Sequence, residues 1–348
     1  MNELKISNLR VSYRSTDSVN GNANKDRNPV LEEYSLTVNK KELVVILGPS
    51  GCGKSTLLSA ISGLKQPDDG EISFGDTCFF NKADRINVQA EERNIGFVFQ
   101  TYALWPHMTV YQNIAFPLRS RKMAKKQIKS RVADMLETVH MRGYGHRYPG
   151  SLSGGERQRI ALVRSLVYQP SLLLLDEPLA NLDANLKESL IREIKEIQRK
   201  LGVTAIYVTH DQSEAFEIAD RIVIMNEGKI MQQGTPQEIY NDSQNLFVAD
   251  FIGKNNIFDN SRGSFPSFLA RHCHCKARKA VAVRPEDIEL SDDAAHHGVI
   301  EKVIFKGDRT EYVILCSGGV HLTTFAPGNA VHVVGDSVRF EVKRCQIL

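Results

Sequence analysis

The chain has 348 residues, of which 42% are hydrophobic and 24% charged, and its formal net charge is +3. This length predicts two or three domains, each large enough to bury a core of its own. The small net charge gives no electrostatic argument for nucleic acid binding, and no apolar run approaches the roughly 20 residues that span a bilayer. The N-terminal MNELKISNLR lacks the layout of a signal peptide, and six scattered cysteines are no disulfide framework, so we expect a reducing, cytoplasmic compartment.

The first two thirds of the chain alternate predicted strands and helices. ELKISNLRVS (3–12) predicts a strand, and the polar segment 15–29 predicts a surface loop, which in most proteins is a tolerated insertion without function. LVVIL (43–47) is a continuous apolar run, typical of a buried parallel strand. The same pattern recurs in IGFVFQ (95–100), LLLLDEP (172–178) and AIYVTHD (205–211), with helical stretches such as 156–168 and 184–201 between them. This alternation predicts an α/β fold with a mostly parallel sheet and with its chemistry at the carboxyl ends of the strands.

The pattern changes after residue 234. TPQEIYNDSQNLFVADFIG (235–253) indicates a short helical connector, and from about residue 279 short strands alternate with glycine turns. The second part therefore predicts a small all-β, barrel-like domain. We place the domains at 1–240 and 241–348, with a helical subdomain at about 101–165.

One short motif predicts a phosphate-binding loop. GPSGCGKST (48–56) fits G-x-x-x-x-G-K-[ST], follows the strand LVVIL and opens a helix. Gly48, Gly51 and Gly53 let the backbone N–H groups converge on phosphate oxygens, and the helix N-terminus adds a favourable dipole. Lys54 offers a charge to the β- and γ-phosphates, and Ser55 offers a hydroxyl to Mg²⁺.

Polar residues that end three other strands complete a predicted hydrolytic site. Asp176 follows four leucines and can hold Mg²⁺ through water, whereas Glu177 points the other way along the strand and can activate an attacking water. His210 can contact a γ-phosphate, and Gln100 can reach Mg²⁺ or the attacking water.

A second stretch, SLSGGERQR (151–159), also predicts an anion site at the start of a helix, but it contains no lysine and follows no strand. Ser153 and Glu156 fit S-x-x-E, a helix capping box. This spacing predicts that Ser153 caps its own helix.

Together these motifs resemble those of a known family. GPSGCGKST, VFQ, LSGGE, LLLLDEP, NLD and VTHD occur in this order, and over residues 3–240 the chain resembles the nucleotide-binding subunit of an ATP-binding cassette transporter. The resemblance implies an ATPase that uses ATP and Mg²⁺. It also implies a head-to-tail homodimer, in which each ATP lies between the phosphate loop of one cassette and the signature loop of the other.

The resemblance assigns roles to individual residues. Those implied to bind nucleotide are Tyr13, which stacks on adenine, Gly48, Pro49, Ser50, Gly51, Cys52, Gly53, Lys54, Ser55 and Thr56 of the phosphate loop, Ser153, Gly154 and Gly155 of the signature loop with Glu156 where the family usually has Gln, and Asp183 at the dimer interface. Those implied to act in catalysis are the base Glu177, the switch residue His210, Gln100 and Lys54. Those implied to hold Mg²⁺ are Ser55, Gln100 and Asp176.

Two further segments resemble importer ATPases with a C-terminal β regulatory domain: VRPEDIEL (283–290) and TYALWPHMTVYQNIAFPL (101–118). Such importers take up sugars, polyamines, sulfate or ferric iron. The resemblance implies a peripheral protein on the cytoplasmic face of the inner membrane. It also implies a membrane permease docked near Gln100–His107, a solute-binding protein and no nucleic acid partner. For the aromatic cluster in that segment, ordinary packing is the alternative.

The solute is harder to predict. DEPLANLDANL followed by VTHDQSEAF most resembles ferric-iron importer ATPases, with polyamine, sugar, sulfate or phosphonate import as alternatives. A soluble cassette ATPase acting on nucleic acid or ribosomes is the non-transport alternative, and Glu177 argues against a regulator without turnover. HCHC (272–275) raises the hypothesis of a metal sensor, but contiguous ligands lack the usual spacing of a metal site.

Overall fold

The computed structural model describes residues 3–14, 27–180, 182–259, 265–269, 280–329 and 331–348. The chain divides into two compact units, Met1–Pro236 and Gln237–Leu348. HCHC and most of the predicted loop at 15–29 lie outside the described residues.

The first unit alternates strands and helices as predicted. Its strands are β1 (Leu4–Arg14), β2 (Arg27–Val38), β3 (Leu43–Leu47), β4 (Asp69–Phe74), β5 (Thr77–Asn81), β6 (Ile86–Asn87), β7 (Ile95–Val98), β8 (Leu172–Asp176), β9 (Thr204–Thr209), β10 (Arg221–Asn226) and β11 (Lys229–Gly234). Its helices are α1 (Lys54–Ser62), α2 (Val110–Ser120), α3 (Lys125–Thr138), α4 (Gly154–Leu166), α5 (Ala184–Leu201) and α6 (Gln212–Ile218).

A six-stranded sheet in the order β11-β10-β3-β9-β8-β7 forms the centre of this unit. All its pairs are parallel except β10 with β11. Because β3, β7, β8 and β9 run in the same direction, the loops that follow them leave the sheet at one edge. The predicted α/β fold with a mostly parallel sheet is confirmed.

A second sheet, in the order β2-β1-β4-β5-β6, is antiparallel. It shares one hydrophobic core with the central sheet, and α1 contributes Leu57, Leu58 and Ile61 to that core. The helix that follows the phosphate loop is thus packed within the core of both sheets. The sequence pattern does not predict this sheet as a separate layer.

Helices α2, α3 and α4 pack against one another and form the helical part of the unit. Thr109 caps α2 through a capping box with Gln112, and the buried Asn113 binds the carbonyl oxygens of Trp105 and Met108. The segment that precedes α2 is therefore fixed to the helix.

The second unit is mainly β-structure. Its elements are α7 (Pro236–Asn241), α8 (Leu246–Phe251), β12 (Asn256–Asp259), β13 (Ala280–Val283), β14 (Ile288–Leu290), β15 (His296–Phe305), β16 (Arg309–Cys316), β17 (Val320–Pro327), β18 (Ser337–Val342) and β19 (Gln346–Ile347). They form sheets in the orders β12-β13-β19 and β14-β18-β15-β16-β17 around a core that includes Tyr312, Leu322 and Phe340. This arrangement confirms the predicted all-β, barrel-like domain.

Candidate functional site

The loop between β3 and α1 has the glycine geometry that a phosphate-binding loop requires. Gly51 and Gly53 have φ angles of 81° and 106°, in the left-handed region that favours glycine. At Gly48 a Cβ atom would lie 2.2 Å from the carbonyl oxygen of Met225. A side chain at any of these three positions would distort the loop.

The loop borders an open cleft of about 280 Å³. Its lining residues are Val30, Ser50, Gly51, Gly53, Lys54, Ser55, Thr56 and Glu177. The Cys52 side chain does not belong to this lining: it is buried in the core, and burial raises the pKa of its thiol. Only the backbone of Cys52 can therefore contact a ligand in the cleft.

Lys54 is held by the loop itself. Its Nζ donates hydrogen bonds to the carbonyl oxygens of Gly48 at 2.8 Å and Pro49 at 2.9 Å, and the residue is 5% exposed. These two acceptors pair two of the three N–H donors of the ammonium group, which would otherwise be costly to bury.

Ser55 and Asp176 meet although they are far apart in sequence. The Ser55 hydroxyl donates a 2.8 Å hydrogen bond to Oδ1 of Asp176, the last residue of β8. Burial raises the pKa of Asp176; the Ser55 hydrogen bond opposes this shift and the charge of Glu177 adds to it. A hydroxyl and a half-buried carboxylate are hard oxygen ligands, which suit Mg²⁺ when substrate phosphates and water supply the rest.

Glu177 and His210 form a second pair at the same edge of the sheet. Nδ1 of His210 lies 3.2 Å from Oε2 of Glu177. Glu177 has a left-handed φ of 42°, and its N–H donates to the carbonyl oxygen of Val208 in β9. The adjacent carboxylates of Asp176 and Glu177 thus have different partners; Glu177 lies beyond the end of β8, so its left-handed backbone, rather than the alternation along a strand, sets its direction.

Gln100 and Tyr13 are not among the residues that line the cleft. Gln100 is exposed just beyond β7, which is the parallel neighbour of β8. Tyr13 is 44% exposed, and its hydroxyl lies 3.3 Å from Oγ1 of Thr56. Nζ of Lys65 lies 4.3 Å from the centre of the Tyr13 ring, a cation–π contact that the sequence analysis did not identify.

The signature segment, Ser153 to Glu156, forms the expected capping box at the start of α4. The Ser153 side chain accepts from the Glu156 N–H at 3.3 Å, and Glu156 Oε2 accepts from the Ser153 N–H at 2.7 Å. The hydrogen bond from the Ser153 N–H lowers the pKa of the Glu156 carboxyl. Among the described residues, those of the signature segment do not line the cleft around Lys54.

The two signature glycines pack against the start of α5. A Cβ atom on Gly154 would lie 2.7 Å from Cδ2 of Leu182, and one on Gly155 would lie 3.0 Å from Cδ2 of Leu186. Asp183 caps α5 by accepting from the Leu186 N–H at 3.0 Å. Asp183 and the signature segment are therefore neighbours within one chain.

An apolar groove of about 390 Å³ lies beside α2 and α4. Trp105 and Phe116 are in ring contact at 4.5 Å, and the guanidinium of Arg164 lies 5.0 Å from the Trp105 ring. Phe99 and Phe116 are 36% and 41% exposed. Tyr102, which the sequence analysis placed in the docking surface, is only 7% exposed and has a left-handed φ of 62°, so its side chain does not belong to that surface.

Arg93 is a buried cation that sequence reasoning missed. It is 1% exposed, and it donates hydrogen bonds to the carbonyl oxygens of Ala60 at 2.9 Å and Ile61 at 2.8 Å in the last turn of α1, and of Val88 at 2.9 Å. Burial lowers the pKa of Arg93 to about 10. Nothing in the sequence marks it, because arginines are mostly exposed.

The described residues contain no helix that is long and apolar enough to cross a membrane. They also contain no group of three or more His, Cys, Asp or Glu side chains that could hold a metal ion.

Two family models match the chain: that of the ABC transporter at residues 31–180 and that of the TOBE domain at residues 281–348. A spermidine/putrescine import ATP-binding protein of Clostridium novyi is 44% identical over 82% of this chain and 84% of its own length. A sulfate/thiosulfate import ATP-binding protein of Gloeobacter violaceus is 44% identical over 82% of this chain and 81% of its own length.

Solved structures show the same fold in the first unit. The match to a dimeric ATP-binding cassette bound to ADP and Pi covers 67% of this chain and 98% of the cassette chain, with 27% sequence identity and a TM-score of 0.57. The match to cbiO1 of Clostridium perfringens, part of an ABC transporter complex, covers 69% of this chain and 91% of the cbiO1 chain, with 29% sequence identity and a TM-score of 0.60.

The prediction of ferric iron as the solute is not supported by these relatives, which are named for polyamine or sulfate import. Two residues of the motifs that suggested iron, Glu177 and His210, form the pair beside the cleft.

Proposed function

Because the chain belongs to the ATP-binding cassette (ABC) transporter family, we propose that it drives solute import by hydrolysing ATP between two copies of itself. The chain is the ATPase subunit of an importer. The observation that carries the proposal is the meeting of Lys54, the Ser55–Asp176 pair and the Glu177–His210 pair at one edge of the central sheet.

Each group at this edge has a task in hydrolysis. Lys54 and the backbone N–H groups of the loop bind the phosphates, and Tyr13 stacks on adenine. Mg²⁺, when bound, neutralises phosphate charge, and Ser55, Asp176 and Gln100 are the residues that would hold it, directly or through water.

Glu177 then accepts a proton from the attacking water, and His210, close to its carboxylate, keeps the base oriented and contacts the γ-phosphate. A positioned general base of this kind contributes about 100-fold to 10,000-fold to a rate.

The second anion site serves a second ATP. In one chain the signature segment, Ser153 to Glu156, does not line the cleft around Lys54 among the described residues, so it is free to cover the nucleotide of a partner cassette. Asp183 lies beside it and would join the same interface. The similarity to a dimeric cassette bound to ADP and Pi supports this head-to-tail dimer.

The aromatic groove is the proposed docking site of the permease, at the cytoplasmic face of the inner membrane. The groove is apolar and rimmed by Arg121 and Arg164, which suits a short helix with an apolar face and acidic or carbonyl groups at its ends. Trp105 and Phe116, rather than Tyr102, would make the contact. The C-terminal unit is the proposed regulatory domain.

The proposed solute is a polyamine, supported by several relatives named for spermidine/putrescine import. Sulfate is the second candidate, because a sulfate/thiosulfate relative is equally identical at 44%. Uptake of labelled spermidine and of labelled sulfate by vesicles that contain the chain with its permease and solute-binding protein separates the two.

The test of hydrolysis is Glu177→Gln, which keeps the shape of the side chain and removes the base. We expect ATP turnover to fall by about 100-fold or more, while ATP binding persists and a nucleotide-dependent dimer accumulates in light scattering. Glu137→Gln, at an exposed position in α3, is the control and keeps the wild-type rate. Turnover near the wild-type rate in the Glu177 variant would falsify the assignment of the base.

A further inference from the structure

A buried ion pair joins α5 and α6 behind the predicted switch histidine. The Glu214 side chain is 3% exposed, and its Oε2 accepts hydrogen bonds from the hydroxyls of Tyr207 and Thr209, both at 2.8 Å. Its Oε1 lies 3.2 Å from Nζ of Lys187. A carboxylate buried this deeply stays charged only when it is paired and hydrogen bonded, and these three groups supply both.

Both chain neighbours of His210 are bonded to this group. Thr209 donates to Glu214, and the Thr209 hydroxyl accepts from the Asp211 N–H at 3.0 Å. The Asp211 carboxylate lies 3.4 Å from Nζ of Lys187. The backbone on either side of His210 is therefore fixed from inside the protein, although the imidazole itself is 52% exposed.

Asp211 also fixes the start of α6. Its Oδ1 accepts from the N–H groups of Ser213 at 2.9 Å and Glu214 at 3.4 Å, which caps the helix that carries Glu214. The strand that precedes His210 and the helix that follows it are thus joined through the same two carboxylates.

Lys187 connects the group to the first turn of α5. Its backbone N–H donates to the carbonyl oxygen of Asp183 at 3.0 Å, so Lys187 lies one helical turn from the residue proposed for the dimer interface. A movement of that turn changes the distance between Lys187 and Glu214.

We propose that Glu214, paired with Lys187, is a positioning residue for ATP hydrolysis: it holds His210 within reach of Glu177 and links that position to the start of α5. This inference rests on the proposed function. It assigns Glu214 no contact with nucleotide. A misplacement of about 1 Å in a reacting group can reduce a rate by about 100-fold, so loss of the pair should be visible in turnover.

Glu214→Gln isolates the charge. The amide oxygen can still accept from Tyr207 and Thr209, but the anion opposite Lys187 is lost. In the full-length chain we expect kcat to fall by about tenfold or more, with KM for ATP within about twofold of the wild type. Glu188→Gln, next to Lys187 on α5, is the control: the side chains of Glu188 and Arg192 are 70% and 64% exposed, so their ion pair contributes little and kcat stays at the wild-type value.

A combination with His210→Ala decides between positioning and general stability. If Glu214 acts through His210, Glu214→Gln lowers kcat by less than about twofold in the His210→Ala chain. A further tenfold loss there would overturn the inference while leaving the role of His210 intact. If His210→Ala keeps the wild-type rate, the proposed role of His210 fails and the inference fails with it.

Lys187→Met provides a second route if Glu214→Gln does not fold. It removes the ammonium, keeps an aliphatic side chain at a position that is 21% exposed, and should give the same non-additivity with His210→Ala. Binding of a fluorescent, non-hydrolysable ATP analogue at the wild-type Kd verifies that each variant retains its fold. A Lys187→Met chain with wild-type kcat would contradict the proposal.

Discussion

Replacing Asp176 with Asn should stabilise the protein without nucleotide and weaken its response to MgATP. The amide oxygen of Asn can still accept the hydrogen bond from Ser55, so the change removes a charge and little else. Burial raises the pKa of Asp176 above its unfolded value. The native state therefore binds this proton more tightly than the unfolded state, and the stability that the group contributes is lost as pH rises through the raised pKa. At pH 7 the ionised carboxylate opposes folding, and its removal should raise the melting temperature.

The effect of MgATP has the opposite sign and a calculable size. At a ligand concentration 100 times Kd, binding stabilises the wild type by about 2.7 kcal/mol. If loss of the metal-holding carboxylate weakens binding by about 100-fold, the same MgATP stabilises the variant by about 0.4 kcal/mol. The difference of about 2.3 kcal/mol corresponds to about 5 to 9 °C in melting temperature for a domain of this size.

Differential scanning calorimetry with EDTA, with ATP and EDTA, and with MgATP measures the melting temperature without nucleotide and its increase on binding MgATP. Asp76→Asn, at an exposed turn position, is the control and should leave both melting temperatures unchanged. The difference between wild type and Asp176→Asn without nucleotide should shrink as the pH is lowered towards the raised pKa. A variant that is less stable without nucleotide, or one that keeps the full MgATP shift, would refute the reasoning.

Two further predictions concern residues other than Asp176. Glu156→Gln preserves the capping box, since the glutamine oxygen can also accept from the Ser153 N–H. We expect the ATPase rate to change by less than about tenfold, which corresponds to about 1.4 kcal/mol of barrier. A larger change would give Glu156 a direct part in hydrolysis. Arg93→Met removes the hydrogen-bond donor of several buried carbonyl oxygens, including those of Ala60 and Ile61. We expect the free energy of unfolding, measured by urea titration, to fall by about 3 kcal/mol or more. A loss under about 1 kcal/mol would indicate that water replaces the guanidinium.

The phosphate loop and the strand ends could be predicted because short-range spacing determines their geometry. A glycine pattern between a strand and a helix forces the loop of Gly48 to Lys54. Parallel strands bring their carboxyl ends to one edge, whatever their distance in sequence. The meeting of Ser55 with Asp176 follows from that rule, and so does the proximity of Glu177 to His210.

Other features depend on contacts that no local pattern encodes. Lys187 and Glu214 lie on different helices, and each is an ordinary charged residue in its own amphipathic segment, so their pairing emerges only when α5 packs against α6. The burial of Tyr102 depends on a left-handed backbone turn that aromatic composition does not indicate. The antiparallel sheet could not be predicted from local patterns because β1 pairs with β4. These two strands are separated in sequence by β2, β3, the phosphate loop and α1.

In the proposed mechanism, the carbonyl contacts of Lys54 make phosphate binding an exchange of hydrogen-bond acceptors. The ammonium already has two oxygen partners in the loop, so a phosphate gains only the difference between its own interaction and theirs. That difference is set by charge, since a phosphate oxygen is anionic and a carbonyl oxygen is not. Two neutral oxygens thus hold the cation ready in its place, and a neutral competitor that could only match them would gain nothing from the lysine.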